Sequence, residues 1–165
     1  MMLDRPIRWD ETIDKEKTLD YVFAHQRLTQ ANDAMLAQYG ASREDLIGLT
    51  PYDFYKHDLN TGRQVWRRFL DAGRLHVDTD ERKLDGTPIW IEGDYICLYD
   101  DQGRITGHFG VQHDITQRKQ TDTLLKIQRD LGVTLRHDRS DRGLAGLFES
   151  GSGYSRSRLR RDLSG

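Results

Sequence analysis

The run Gly110-Val111-Gln112-His113-Asp114-Ile115-Thr116-Gln117-Arg118-Lys119 decides how this chain folds. Its first part continues an alternation of apolar and polar residues that is typical of a half-buried strand, and its last part is charged and favours a helix. The change falls at Asp114 and Thr116, whose side-chain oxygens can accept hydrogen bonds from the free N–H groups of a first helical turn. The run therefore predicts a strand that passes directly into a helix.

Two turn signals lie upstream of this junction, Leu84-Asp85-Gly86-Thr87 and Asp100-Asp101-Gln102-Gly103. They separate three alternating segments, at 75–83, 89–99 and 104–113, which predict consecutive antiparallel strands. In the third segment the alternation assigns one face to Ile105, Phe109 and Val111. The other face is assigned to Thr106, His108 and Gln112.

The first half of the chain predicts two further strands and a set of helices. Segments 19–24 and 27–31 are rich in strand formers. Asn32 can cap a short helix, and apolar residues recur at three- and four-residue steps over 59–72, which indicates a longer helix. The expected fold class is therefore α+β, with a five-stranded antiparallel sheet and short helices packed on one face.

Composition sets limits on the class of protein. The 165 residues carry a formal net charge of −2, so no overall field favours nucleic acid or a membrane surface. No apolar run approaches the roughly 20 residues of a membrane helix. Cys97 is the single cysteine, which excludes an internal disulfide. A cytoplasmic location without nucleic-acid partners, and without a membrane partner for this stretch, is expected; a fragment of a membrane-anchored receptor is the alternative.

Four motifs in order resemble the PAS sensory family. They are Asn32, the segment 39–48 (Tyr-Gly-Ala-Ser-Arg-Glu-Asp-Leu-Ile-Gly), the hairpin 82–90 (Arg-Lys-Leu-Asp-Gly-Thr-Pro-Ile-Trp) and the ending 114–119 (Asp-Ile-Thr-Gln-Arg-Lys). The expected organisation is a flanking segment (1–18), a PAS sensory domain (19–116), an output linker helix (117–135) and a disordered or aberrant tail (136–165).

The resemblance implies a sensory module without catalytic residues, hence not an enzyme. A change caused by a small-molecule ligand or a partner would pass through Asp114 and Thr116 into the linker helix. It would then reach an effector such as a histidine kinase or a diguanylate cyclase, and no signature of either is present in the chain. The alternative is a ligand-free module for dimerisation or protein interaction.

Six aromatic residues are candidates for a ligand pocket, although a small domain also needs such residues simply to fill its core. They are Tyr52, Phe54, Trp66, Phe69, Tyr95 and Phe109. The spacing of the histidines shows no shared metal site, so no metal is expected. The identity of a cofactor is left open. The favoured expectation is that the domain holds none, and the alternatives are haem bound by His57 or a non-covalently bound flavin.

A homodimer is expected because two apolar surfaces need a cover. One is the outer face of the second hairpin strand, with Trp90, Ile96 and Leu98, which either Trp9 and Ile13 of the N-terminal segment or a second subunit would cover. The other is the helical stripe of Leu124, Ile127 and Leu131, which follows the beginning of a heptad pattern.

Overall fold

The computed structural model describes the backbone of residues 1–148 and the side chains of residues 1–132. The strands are β1 (Met2–Ile7), β2 (Arg74–Arg82), β3 (Pro88–Tyr99) and β4 (Ile105–Asp114). The helices are α1 (Lys15–His25), α2 (Asp33–Tyr39), α3 (Arg43–Leu46), α4 (Pro51–Tyr55), α5 (Leu59–Ala72) and α6 (Thr116–Phe148). None of the helices in this part of the chain is long and apolar enough to cross a membrane.

The strands form one antiparallel sheet in the order β1-β4-β3-β2. The turn between β2 and β3 has Gly86 at φ 87°, and the turn between β3 and β4 has Gly103 at φ 71°. These are left-handed conformations that glycine adopts without a steric penalty, so both turns form where the sequence predicts them. The α+β class is confirmed, but the described residues contain four sheet strands, not five.

The prediction for the start of the domain is wrong. Segment 19–24 belongs to α1, and 27–31 contributes only an isolated bridge between Arg27 and Met2. Asp14 caps α1 by accepting from the Lys17 N–H, and Leu19, Val22 and Phe23 are buried along one side of the helix. Packing of this i, i+3, i+4 face overrides the strand preference of its residues. The edge strand comes instead from the predicted flanking segment, as β1.

The predicted faces of β4 are also wrong, because the strand contains a bulge. Leu98 pairs with Gly107 whereas Tyr99 pairs with Ile105, so Thr106 is an extra residue in β4. Beyond an extra residue, each side chain of the strand points to the face opposite to the one that simple alternation predicts. Ile105 therefore stays buried at 3% exposure, while Phe109 is 58% exposed and His108 is buried at 8%.

The helices α1, α2, α4 and α5 pack over one face of the sheet, called here the inner face. Helix α5 contributes Trp66, Phe69 and Leu70 to a buried cluster that includes Cys97 of β3. A second cluster forms around Tyr39 and the inner residues of β3. Burial raises the pKa of the Cys97 thiol to about 11, so this cysteine is uncharged at neutral pH.

Helix α6 begins at the end of β4, with Ile115 as the connecting residue. The compact unit formed by the sheet and the other helices ends at Lys119, and the rest of α6 belongs to a separate unit. The helix continues through Gly132 to Phe148, beyond the residue 135 at which the predicted linker ended. The part of the predicted tail that follows Phe148 lies outside the described residues.

Candidate functional site

A cavity of about 670 Å³ lies between the inner face of the sheet and the helices. This volume is in the range of sites for small organic ligands. Five aromatic side chains and one carboxylate face it from four elements, namely Phe54, Tyr55, Trp66, Phe69, Tyr95 and Glu81. The aromatic rings contact one another edge to face, for example Trp66 and Phe69 with centroids 5.8 Å apart.

A buried polar network lines one part of the cavity. The Glu81 side chain of β2 is 3% exposed, and its two oxygens accept from the Tyr39 hydroxyl at 2.5 Å and the Thr79 hydroxyl at 2.8 Å. Gln112 of β4 donates to the Tyr95 hydroxyl of β3 at 2.8 Å. Removal from water raises the pKa of the Glu81 carboxyl, and it raises the pKa of Tyr39 well above its ordinary value.

His108 lies beside this network and is held in one neutral tautomer. The Gln26 side-chain amide donates to its Nδ1 at 3.0 Å, which leaves the ring proton on Nε2. The ring packs edge to face against Trp66, Phe69 and Tyr95. Burial lowers the pKa of His108 to about 3, so the imidazole is uncharged at physiological pH.

The structure brings together most of the predicted pocket residues. Phe54, Trp66, Phe69 and Tyr95 line the cavity, and Phe109 borders it with its side chain more than half exposed. Tyr52 is 53% exposed and is not part of the lining, because α4 turns its buried side, with Pro51, towards the core.

Sequence reasoning missed Glu81 because it lies in the charged run Asp80-Glu81-Arg82. The register of the predicted hairpin carried a usable signal. Glu81 pairs with the fully buried Ile89, and Thr79 pairs with Ile91, so both polar side chains share the inner face.

Two hydrogen bonds tie the junction between β4 and α6 to β3, and a third lies within the junction. The Thr116 N–H donates to the Asp114 carboxylate at 2.8 Å, and the Thr116 hydroxyl accepts from the Trp90 N–H at 2.9 Å. The Ile115 N–H donates to the Trp90 carbonyl at 2.8 Å. Asp114 and Thr116 thus link the first turn of α6 to a defined residue of the sheet.

Ion pairs strengthen the same attachment on the outer face of the sheet. Arg118 contacts Glu92 of β3 at 2.8 Å, and Lys119 contacts Asp78 of β2 at 2.7 Å. The Lys119 ammonium also lies 5.0 Å from the centroid of the Trp90 ring. These contacts join the first turn of α6 to β2 and β3.

One group of potential metal ligands lies nearby among the described residues, formed by His76, Asp78 and Glu92 within 4.8 Å of one another. Each of these three side chains already contacts another charged residue. Asp78 pairs with Lys119, Glu92 pairs with Arg118, and His76 contacts Asp94 at 2.9 Å. The two carboxylates of the group therefore take part in ion pairs at the junction.

The outer face of β3 and β4 carries an apolar surface. Ile96 is 50% exposed and lies opposite Phe109, which is 58% exposed, while Val111 is 48% exposed. Leu98 is half-buried beside them, and Leu98, Phe109 and Val111 also border the cavity. We call Ile96, Leu98, Phe109 and Val111 the outer patch.

The predicted N-terminal cover lies elsewhere. Trp9 packs against the inner cluster, and its indole N–H donates to Asp71 of α5 at 2.9 Å. Trp90 is half-buried beneath Lys119. The predicted helical stripe is exposed within α6, with Leu124 at 61%, Ile127 at 49% and Leu131 at 58%.

Comparisons with known proteins follow this geometry. A family profile described as the PAS fold matches residues 19–120. No curated protein sequence matches the chain. An RNA-binding light-oxygen-voltage receptor is similar with a TM-score of 0.54 and 18% identity, over 81% of this chain and 44% of that one. The PAS domain of a protein from Colwellia psychrerythraea gives a TM-score of 0.49 and 22% identity, over 62% of this chain and 95% of that one.

The similarity to the light-oxygen-voltage receptor, at 18% identity, shows the fold alone. The profile covers more than half of the chain and agrees in extent with the helices and the three long strands around the cavity. This chain belongs to the PAS fold family.

Proposed function

We propose that the chain is a sensory module in which a ligand in the cavity changes the position of the first turn of α6. One observation carries this proposal. Strand β4 supplies Gln112 and His108 to the cavity and, two residues after Gln112, supplies Asp114 to the junction. A ligand that contacts β4 acts on the same strand that sets the start of α6.

The energetic requirement is modest. A ligand shifts an equilibrium between two arrangements by its difference in affinity for them, and allosteric couplings are typically about 1–3 kcal/mol. Exchange of one hydrogen bond at Trp90 or Thr116 is of this order, since a net hydrogen bond contributes about 0.5–1.5 kcal/mol. The downstream recipient in this proposal is an effector such as a histidine kinase or a diguanylate cyclase.

Dimerisation belongs to the same proposal. A contiguous exposed apolar surface is typical of a protein contact, and a second copy of the chain can cover both the outer patch and the stripe of α6. The module would act as a cytoplasmic homodimer and perform no bond-making chemistry itself.

Native mass spectrometry of the full chain, followed by hydrogen exchange, tests the ligand-dependent function. The expected result is a bound small molecule, and a change in exchange at the Trp90 and Ile115 amides when that molecule is removed. A chain that carries no compound, or whose loss of compound leaves both amides unchanged, would contradict it.

The second candidate function is a ligand-free dimerisation module, favoured by the outer patch alone. It predicts that variants of the outer patch abolish association, whereas variants of the cavity affect only stability. Light scattering during size-exclusion chromatography tests the dimer that both functions share, since a dimer has twice the 19.2 kDa mass of one chain. Native mass spectrometry distinguishes the two functions, because the ligand-free module carries no bound compound.

A further inference from the structure

We infer that the cavity binds a small organic cation, with an amine or quaternary ammonium group held between Glu81 and the surrounding aromatic faces. The inference rests on the proposed function, because it names the ligand class of the same cavity.

The first argument is the isolation of Glu81. The carboxylate is almost fully buried, faces the cavity and takes part in none of the ion pairs among the described residues. A buried carboxylate costs free energy unless a cation or hydrogen bonds compensate it. Tyr39 and Thr79 supply two hydrogen bonds, and a ligand cation would supply the missing charge.

The second argument is the nature of the walls. Aromatic faces attract cations through the ring quadrupole, most strongly where water is excluded. Phe69 and Tyr95 pack with centroids 6.2 Å apart, and Tyr39 and Phe54 with centroids 5.6 Å apart. Tyr39 contacts Glu81 directly, and Phe54, Phe69 and Tyr95 line the same cavity as the carboxylate. A carboxylate together with aromatic rings is the combination that recognises ammonium groups.

An anionic ligand fits this site poorly. Arg43 is the single arginine of the lining, and its guanidinium is engaged by the Ala31 carbonyl at 2.6 Å and the Asp33 carboxylate at 3.1 Å. Among the described residues no lysine belongs to the lining, and the N-terminal ammonium of Met1, a second cation there, donates to the His108 carbonyl at 2.8 Å. A ligand carboxylate would thus meet Glu81 while both of these cations are already engaged by oxygen atoms of the chain.

A proton links binding to pH. Burial raises the pKa of the Glu81 carboxyl, and the cation requires its ionised form, so binding releases a proton from the fraction of Glu81 that is protonated. Affinity for the cation therefore rises as the pH rises through the raised pKa. The polar and titratable groups that face Glu81 or its network are Tyr39, Tyr55, His57, Thr79, Asp80, Tyr95 and Gln112.

The experiment compares two probes of the same shape on the full chain. Benzyltrimethylammonium carries the charge, and neopentylbenzene is its neutral carbon isostere. Dissociation constants are measured by ligand-observed NMR for the wild type, for Glu81→Gln and for Asp80→Asn. The Asp80→Asn control removes a charge from the neighbouring residue, whose side chain contacts Arg82 on the exposed side of β2.

The expected result is that the wild type binds the cation at least about tenfold more tightly than the isostere. Glu81→Gln should lose that preference, and Asp80→Asn should keep it. In the wild type, the cation should bind more tightly at pH 8 than at pH 5, whereas the isostere should not change. This pH comparison uses the wild type alone, so it tests whether the Glu81 carboxylate binds the cation even if Glu81→Gln folds poorly.

Three results would overturn the inference: equal affinities for the two probes, full cation binding by Glu81→Gln, or no binding of the cation. Binding of neopentylbenzene without the cation would remove the cation assignment and leave the cavity as a ligand site, in agreement with the proposed function. Failure of the proposed function appears separately, as unchanged exchange at Trp90 and Ile115 when a bound compound is removed.

Discussion

Each face of the β3–β4 pair contains residues that depart from the pattern of an ordinary half-buried sheet. The inner face places Tyr95, Gln112 and His108 in hydrogen-bonded positions within the core. The outer face of the same strands exposes Ile96 and Phe109 as a cross-strand pair. Antiparallel sheets with one solvated face usually show apolar residues inside and polar residues outside.

This difference is what a ligand site in the cavity and a protein contact at the outer patch, both proposed above, would predict. Buried polar groups cost stability unless they are satisfied, so their presence inside argues for a ligand or a specific network. Exposed apolar groups contribute nothing to the fold of one chain, so their presence outside argues for a protein partner. The bulge at Thr106 separates the two sets, because it sends His108 and Gln112 inward and Phe109 outward.

The largest expected effect on stability compares two tryptophans, Trp66 in the core and Trp90 on the outer face of the sheet. Trp66→Ala should lower the free energy of unfolding by about 3–5 kcal/mol, because a large buried side chain leaves a cavity. Trp66 is 7% exposed and packs against Phe23, Phe69 and His108. Urea unfolding of the full chain measures the loss. Trp90→Ala is the control on the other face and should cost less than half as much; equal losses would contradict the assignment of faces.

The second effect is a gain in stability that depends on pH. The folded pKa of Glu81 is raised above its unfolded value, so its ionisation opposes folding as the pH rises from about 4.5 through the raised value. Glu81→Gln should therefore raise the melting temperature by several degrees at pH 8, corresponding to about 1–3 kcal/mol. The gain in melting temperature should vanish at pH 4, because the Glu81 carboxyl is then largely protonated in both the folded and the unfolded chain. A stabilisation that is equal at both pH values would refute the account of Glu81.

The third effect concerns the junction. Thr116→Ala removes the acceptor for the Trp90 N–H and should cost about 1 kcal/mol. Hydrogen exchange should become faster at the Trp90 amide, while amides within β2 stay protected. Asp101→Ala, in the exposed turn between β3 and β4, is the matched control and should leave that amide unchanged. If Trp90 exchange is unaffected by Thr116→Ala, the hydrogen bond does not hold the junction.

The smallest effect on folding is expected at the outer patch. Ile96→Ser should change the free energy of unfolding of one chain by less than about 0.5 kcal/mol, since the side chain is already half exposed. It should nevertheless reduce the mass in solution from a dimer to the 19.2 kDa of one chain. Leu84→Ser, at an exposed apolar residue of the β2–β3 turn, is the control. Dimers that persist in Ile96→Ser, with loss of dimers in Leu84→Ser, would reject the outer patch as the interface.

The second half of the fold was predictable because its signals are local. Turn glycines with positive φ and alternating segments determine β2, β3 and β4, and the charged start of α6 follows directly. The first half of the fold was not predictable in this way. Val22 and Phe23 favour strands in isolation, and only their packing against α5 and the sheet makes α1 a helix.

The aromatic part of the site was also predictable, while its polar part was not. Trp66 and Phe69 stand at helical spacing on an obvious buried face. Glu81 lies in a charged run, and nothing local marks it as inward. The faces of β4 depend on the bulge at Thr106, which no turn residue marks in the sequence. The simple alternation therefore groups Ile105 with Phe109 and Val111, although Ile105 is buried and the other two are exposed.

The central claim is that the cavity and the start of α6 are coupled through β3 and β4, and one hydrogen-exchange comparison tests it without any ligand. Tyr95→Phe removes the hydroxyl that accepts from Gln112 inside the cavity, and Tyr99→Phe makes the same change on the same strand away from it. The account predicts that Tyr95→Phe changes exchange at Trp90 and Ile115 by at least about fivefold, whereas Tyr99→Phe does not. A Tyr95→Phe chain whose exchange changes only around the cavity, with Trp90 and Ile115 as in the wild type, would contradict it.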